Sequence, residues 1–181
     1  MKKLFCLLLA FVMLLSFAAC EKDDKDEKEK KEKTPSYEQP VKDMIDIQVG
    51  KATEKQIKRM YPEEVLEMWE EDADELWEEY EDEKEYIVEE YEDQYGKNFK
   101  ITYKITDKEE LKGGNLDELA DELNYQFDID MDDVEEAYEL EIEFTLKGND
   151  DEDEYEKTVT VYKLRGQWYL HGPYKQQKRG A

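Results

Sequence analysis

The chain has 181 residues, with 26 Lys and Arg against 51 Asp and Glu for a formal charge of −25, a size that fits one domain with room for a tether. Seventeen of its 70 apolar residues fall in the first 20 positions, so 53 among the remaining 161 must build the core. A surface this negative is repelled by phosphate backbones and anionic headgroups, which argues against nucleic acid as a partner and against adsorption of the fold itself to a membrane.

Lys2 and Lys3 open the chain, Leu4 to Ser16 is almost wholly apolar, and Phe17-Ala18-Ala19 places small residues before Cys20. This is the three-part layout of a secretory signal peptide. The apolar stretch Leu4 to Ala19 has 16 residues, short of the roughly 20 a helix needs to cross a bilayer. The segment resembles a bacterial lipoprotein signal, in which an aliphatic residue and two small ones precede an invariant cysteine; here Phe17 stands at the first of these places. The resemblance implies cleavage after residue 19, thioether attachment of diacylglycerol to Cys20 and frequent acylation of the new amino group. Two or three chains anchor stably, because each buried methylene contributes about 0.8 kcal/mol. Cys6 leaves with the signal and Cys20 is alkylated, so disulfides, thiolate catalysis and cysteine-ligated zinc drop out together. The mature chain would hold 24 basic and 51 acidic residues, −27 over 162 positions.

Glu21 to Lys33 are all charged, seven acidic and six basic. With nothing apolar to offset the entropy of ordering, residues 20–40 read as a solvated tether, about 25 Å in reach by flexible-chain scaling. Thr34, Pro35, Ser36 and Pro40 break any helix before the α+β domain, placed at 41–173. Val41, Met44, Ile45, Gln48 and Val49 then share a helical face that Gly50 ends. Thr53 and Gln56 form a capping box for a second short helix carrying Ile57, Met60 and Tyr61. After Pro62 the series Leu66, Trp69, Ala73, Leu76, Tyr80, Ile87, Tyr91, Tyr95 predicts one helix of about 30 residues with an apolar stripe. Its other face, nearly all Glu and Asp, reads as solvated surface, and Gly96 ends it.

Phe99, Ile101, Tyr103 and Ile105 alternate with Lys and Thr as a half-buried strand does. Asn115 and Glu118 are expected to cap a helix showing Leu116, Leu119, Leu123 and Phe127 to the core. Tyr138, Leu140, Ile142, Phe144 and Leu146 alternate with Glu139, Glu141, Glu143 and Thr145 as a second strand. Gly148 to Glu154 reads as an acidic loop, Glu156 to Leu164 as a β-branched strand, Arg165-Gly166 as a turn and Gln167 to His171 as the return. Residues 174–181, with Lys175, Lys178 and Arg179, read as a flexible basic tail. The last three strands have only short connections, so the expected architecture is α+β, with N-terminal helices on one face of a curved, mainly antiparallel sheet of about four strands.

The N-terminal helices, the long strand Ala137 to Lys147 and the closing hairpin Thr158 to Leu170, which ends Leu164-Arg165-Gly166-Gln167-Trp168-Tyr169-Leu170, resemble the cystatin-like cone of the nuclear-transport-factor-two-like superfamily. That domain is common in small lipoproteins of Gram-positive bacteria. The resemblance covers roughly three quarters of the chain. It implies a cone that in some members encloses a ligand cavity, and in a few supports proton transfer by an Asp or a His.

For chemistry the chain offers little that converges. His171, its one histidine, falls on the outward side of the last strand if Trp168 and Leu170 face in. No phosphate loop or pair of histidines is present, so neither a cofactor nor zinc is expected. Asp128, Asp130, Asp132, Glu136 and Glu139 occupy the first, third, fifth, ninth and twelfth places of a calcium loop, with Val134 at the carbonyl position, but Asp133 stands where the turn needs Gly. The run Asn149 to Glu154 is a second weak calcium candidate. Trp77, Tyr86 and Tyr162 lie off the core faces and, exposed together, would form a binding patch.

These features lead to an expectation of a non-catalytic, lipid-anchored domain on the outer face of the cell membrane, binding a small ligand or a protein, with cationic partners suiting the charge. A cavity enzyme using acid-base chemistry is the alternative from another class, and requires a buried carboxylate of raised pKa. A weak calcium-binding envelope protein is a further alternative. A transporter's solute-binding component ranks last, because 133 folded residues are few for two lobes.

Overall fold

The computed structural model describes residues 36–172. In chain order it holds helices α1 (Gln39–Gln48), α2 (Glu54–Lys58), α3 (Glu63–Trp69) and α4 (Ala73–Tyr95), strand β1 (Lys100–Glu110), helix α5 (Gly114–Phe127), a 3-10 turn (Met131–Asp133), and strands β2 (Val134–Lys147), β3 (Glu152–Leu164) and β4 (Gln167–His171). The fold is α+β, with helices packed on an open, curved, four-stranded sheet. The strands lie in the order β1-β2-β3-β4 and every neighbouring pair is antiparallel. Arg165 and Gly166, at φ 49° and 83°, make the tight β3–β4 turn; two positive φ values match the right-handed twist of the flanking strands.

Local chemistry sets the helix ends. Gln56 accepts the Thr53 N–H at 2.9 Å through its side chain, the expected cap of α2. Asp72 accepts the N–H groups of Asp74 and Glu75 at 2.8 and 2.9 Å, which fixes the start of α4 by satisfying donors without an intrahelical partner. Gly96 ends α4 at φ 80°. Close by, the β2–β3 loop docks on the helix end: the Asp150 N–H donates to the Tyr95 carbonyl at 3.0 Å, and a Cβ on Gly148 would sit 1.8 Å from that same oxygen.

Apolar side chains cover both faces of the sheet. On one, Val41 and Ile45 of α1, Val49 just past its end and Tyr95 of α4 pack with Phe99 on Ile101, Leu140, Ile142, Phe144, Leu146, Val159, Val161 and Trp168. On the other, Leu119, Ala120, Leu123 and Phe127 of α5 and Val65 of α3 cover Val134, Ala137, Tyr162 and Leu164. A third cluster, of Ile47, Ala52, Ile57, Leu66, Leu76 and Tyr80, binds the helices to one another. There the buried Tyr80 hydroxyl accepts the Ala52 N–H at 3.0 Å and pins the α1–α2 loop.

Several sequence expectations need correction. Helices lie on both faces of the sheet, because β3 is apolar at both parities near its end: Val161 faces one cluster and Tyr162 and Leu164 face the other. The single long helix is two, α3 and α4, separated where Glu70 turns left-handed at φ 56° and Asp72 caps anew. Pro40 does not break a helix; it lies in the first turn of α1, where a missing N–H costs nothing, so the fold begins before residue 41. Helix α5 starts at Gly114, with Gly113 as its cap and no side-chain capping bond, so Asn115 is not the cap. Strand β3 begins at Glu152 and takes up the last three residues of the expected acidic loop. The leader, Cys20, the charged run and the basic tail lie outside the described residues. Among those described, no helix is long and apolar enough to cross a membrane.

Candidate functional site

The expected aromatic patch does not assemble. Tyr162 is fully buried between α5 and the sheet, Trp77 packs partly buried against the interhelical cluster, and Tyr86 is 48% exposed on α4, where its hydroxyl donates to Glu90 at 2.8 Å. Nine residues apart on one helix, Trp77 and Tyr86 point in opposite directions.

The calcium window is spread out in the same way. Asp128 ends α5 in the left-handed region at φ 58°, and Asp130 accepts the Asp132 N–H at 3.0 Å. From Val134 the chain is extended in β2 and does not wrap: Glu136 pairs with Lys163 at 2.9 Å, while Glu139 lies opposite Glu109 of β1. The described residues hold no group of three or more His, Cys, Asp or Glu side chains placed to bind a metal ion. His171 is on the face opposite Trp168, as alternation requires, but α5 covers that face. Its ring stands edge-on to Tyr162 at 6.3 Å with Glu122 3.8 Å away, and burial lowers its pKa against the opposing pull of Glu122.

The structure does form a cleft that sequence reading does not single out. Its volume is about 450 Å³, and its walls come from the end of α2 (Lys58, Arg59), Tyr61, α3 (Glu63, Leu66, Glu67), the start of α4 (Glu71, Asp72, Ala73) and β4 (Gln167, Tyr169). Two break points open it, the Pro62 entry to α3 and the left-handed Glu70 that turns the chain into α4. Gln167 donates its side-chain amide to the Arg59 carbonyl at 3.1 Å, which ties the β4 wall to the α2 wall.

The charge facing this cleft is negative. Lys58 is paired to Glu54 at 2.6 Å and to Asp74; Arg59 holds Asp43 through two nitrogens at 2.8 and 2.9 Å. None of those three partners lines the cleft. The two cations are thus neutralised from outside it, and Glu63, Glu67, Glu71 and Asp72 set its potential. Tyr61 stands edge-on to Trp69 at 4.9 Å, and burial first, with Glu71 second, drives its hydroxyl pKa well above the usual phenol value. Tyr169 on the far wall is shifted up for the same first cause, burial. Both phenols therefore stay protonated, aromatic hydrogen-bonding walls at any physiological pH. Glu71 also lines a second hollow of about 350 Å³ with Glu75, Leu76, Glu78, Glu79 and Asp82, a lining without a single cation.

Sequence reasoning misses this cleft because its walls come from two segments, 58–73 and 167–169, with 94 or more positions between their residues. The local signal that was available is Asp72 followed three residues on by Glu75, an N-terminal signature within an acidic run. No family model, curated protein or solved structure matches this chain.

Proposed function

We propose that the protein is a lipid-anchored, extracytoplasmic binding domain, non-catalytic, that holds a cationic small molecule or a basic side chain of a partner in the cleft between α2–α4 and β4. The observation that carries this reading is the pairing of Lys58 and Arg59 with carboxylates outside the cleft, so that Glu63, Glu67, Glu71 and Asp72 give the lining a net negative charge beside two tyrosines. A guanidinium or amine with a flat or aliphatic body suits such walls, since carboxylates give charge-assisted hydrogen bonds and ring faces attract cations. The leader resembling a lipoprotein signal supports the anchored location.

Two measurements test the reading. Mass spectrometry of the protein extracted from its native membrane is expected to find Cys20 at the amino terminus carrying diacylglycerol; an intact leader or an unmodified thiol refutes the anchor. Calorimetric titration with agmatine, which has a guanidinium at one end and an amine at the other, is expected to give saturable binding that weakens as salt rises. Binding indifferent to ionic strength, or no binding at low salt, refutes the cationic ligand.

A further inference from the structure

On the sheet face opposite Tyr169, two tyrosine rings flank a cation. A bulge in β1 separates Ile105, opposite Ile142, from Asp107, opposite Glu141. The bulge shifts strand parity, so that Lys108, opposite Leu140, turns toward the side of the sheet that carries Tyr138 and Trp168. Its Nζ stands 4.5 Å from the ring centre of Tyr37 and 4.5 Å from that of Tyr138. These two rings are 5.3 Å apart and tilted by 51°, an open V. Trp168 stacks behind Tyr138 at 5.5 Å and meets Tyr37 edge-on at 6.3 Å. Glu110, opposite Tyr138 on β1, and Glu136 add negative charge beside the ring.

The rings come from three separate places: the segment before α1, β2 and β4. Trp168 belongs to the sheet core and Tyr37 and Tyr138 pack half-buried against it, and these two present a pair of π faces aimed at one point, which is where a cation is held best.

We propose that Tyr37 and Tyr138, supported by Trp168, form a binding site for alkylated ammonium groups of the choline type, with Lys108 as a built-in competitor that occupies the V until a better cation displaces it. A quaternary ammonium suits the place better than a primary amine because it gives up less hydration on entering between two rings. Lys108 is exposed on an edge strand, so its side chain can swing to solvent without disturbing the core. The resident lysine lowers the apparent affinity by the fraction of time it fills the V.

Calorimetric titration of the full-length chain in a non-ionic detergent tests this, with tetramethylammonium, choline and glycerophosphocholine as probes and sodium chloride at matched ionic strength as control. Lys108→Gln is expected to tighten tetramethylammonium binding roughly tenfold. Tyr138→Leu in the Lys108→Gln background should abolish it, and Tyr138→Phe, which keeps the ring face, should retain it; this pair separates a lost site from a lost fold. A response to choline stronger than that to glycerophosphocholine assigns the site to free alkylammonium compounds, and an equal or stronger response to glycerophosphocholine extends it to lipid headgroups; either supports the site. Absence of binding to Lys108→Gln, or binding that survives Tyr138→Leu unchanged, overturns it.

Discussion

Residues 61–96, which hold α3 and α4, carry 18 carboxylates and one lysine, whereas residues 97–172, which hold the sheet and α5, carry 22 carboxylates and nine basic side chains. In the second region part of the charge is matched across strands: Lys147 pairs with Glu152 at 2.6 Å, and Lys163 pairs with Glu135 and Glu136 at 2.8 and 2.9 Å. On α4 the single cation, Lys84, reaches Glu81 at 3.0 Å and lies over the Trp77 ring at 5.9 Å, and the surrounding acids repel one another. A fold gains nothing from such repulsion. The contrast shows that the sheet region offsets part of its charge across neighbouring strands, even though Glu139 faces Glu109 and Glu143 faces Glu156, while the helical region is acidic almost throughout, and the cleft opens at its root.

The largest expected effect separates packing from surface. Tyr162→Ala should cost about 4 kcal/mol, as removal of a buried aromatic does, whereas Tyr86→Ala on α4 should stay within about 0.5 kcal/mol; chemical denaturation of both variants reads this out. Equal losses would mean that the two aromatics share an environment and would erase the distinction between the regions.

Next in size is the matched charge beside the acidic helical region. Asp43 is 6% exposed and held by Arg59, Gln39 and Gln56. Arg59→Ala leaves that carboxylate buried without its cation, a loss of about 3 kcal/mol. Lys84→Ala, which removes a solvent-exposed pair with Glu81, is expected to change stability by less than about 0.5 kcal/mol. Urea unfolding checks the ratio between them.

Smaller still is the release of stored repulsion. Glu78→Gln with Asp82→Asn should raise the melting temperature by a few degrees at low salt, on the order of 0.5 kcal/mol, and the gain should vanish at high salt as screening does the same work. A variant less stable than the parent would show that these acids have partners that matter.

The smallest effect is a pH dependence at His171. Burial lowers its folded pKa, so the unfolded chain takes up the proton first, near pH 6.5. Stability is therefore full above that value and is lost as the pH falls through it toward the lower folded value. His171→Gln should flatten this limb of the melting-temperature profile; an unchanged limb would assign it to other groups.

Much of the fold is legible in the sequence because period-two and helical patterns report burial directly. Leu140, Ile142, Phe144 and Leu146 are all at most 3% exposed, as their alternation predicts, and Leu119, Leu123 and Phe127 face the core. The break between α3 and α4 is hidden because Asp72 is one acid among many and the apolar stripe resumes beyond it. Tyr162 looks outward-facing when Val159 and Val161 are taken as the core parity; only the docking of α5 shows that the other parity is buried as well. Of the cleft, only the Asp72–Glu75 helix start is legible, since Tyr61, Glu67, Glu71 and Tyr169 meet only after the chain has folded, and nothing in the local spacing of those four marks them.

The central claim is that cations bind in that cleft and not simply wherever acids are dense. Amide chemical-shift mapping with agmatine tests it most directly. The expected result is a cluster of shifted resonances at Arg59 to Tyr61, Glu67 to Ala73 and Gln167 to Tyr169. Shifts spread evenly along α4 from Glu78 to Asp93, with none at Tyr169, would contradict it.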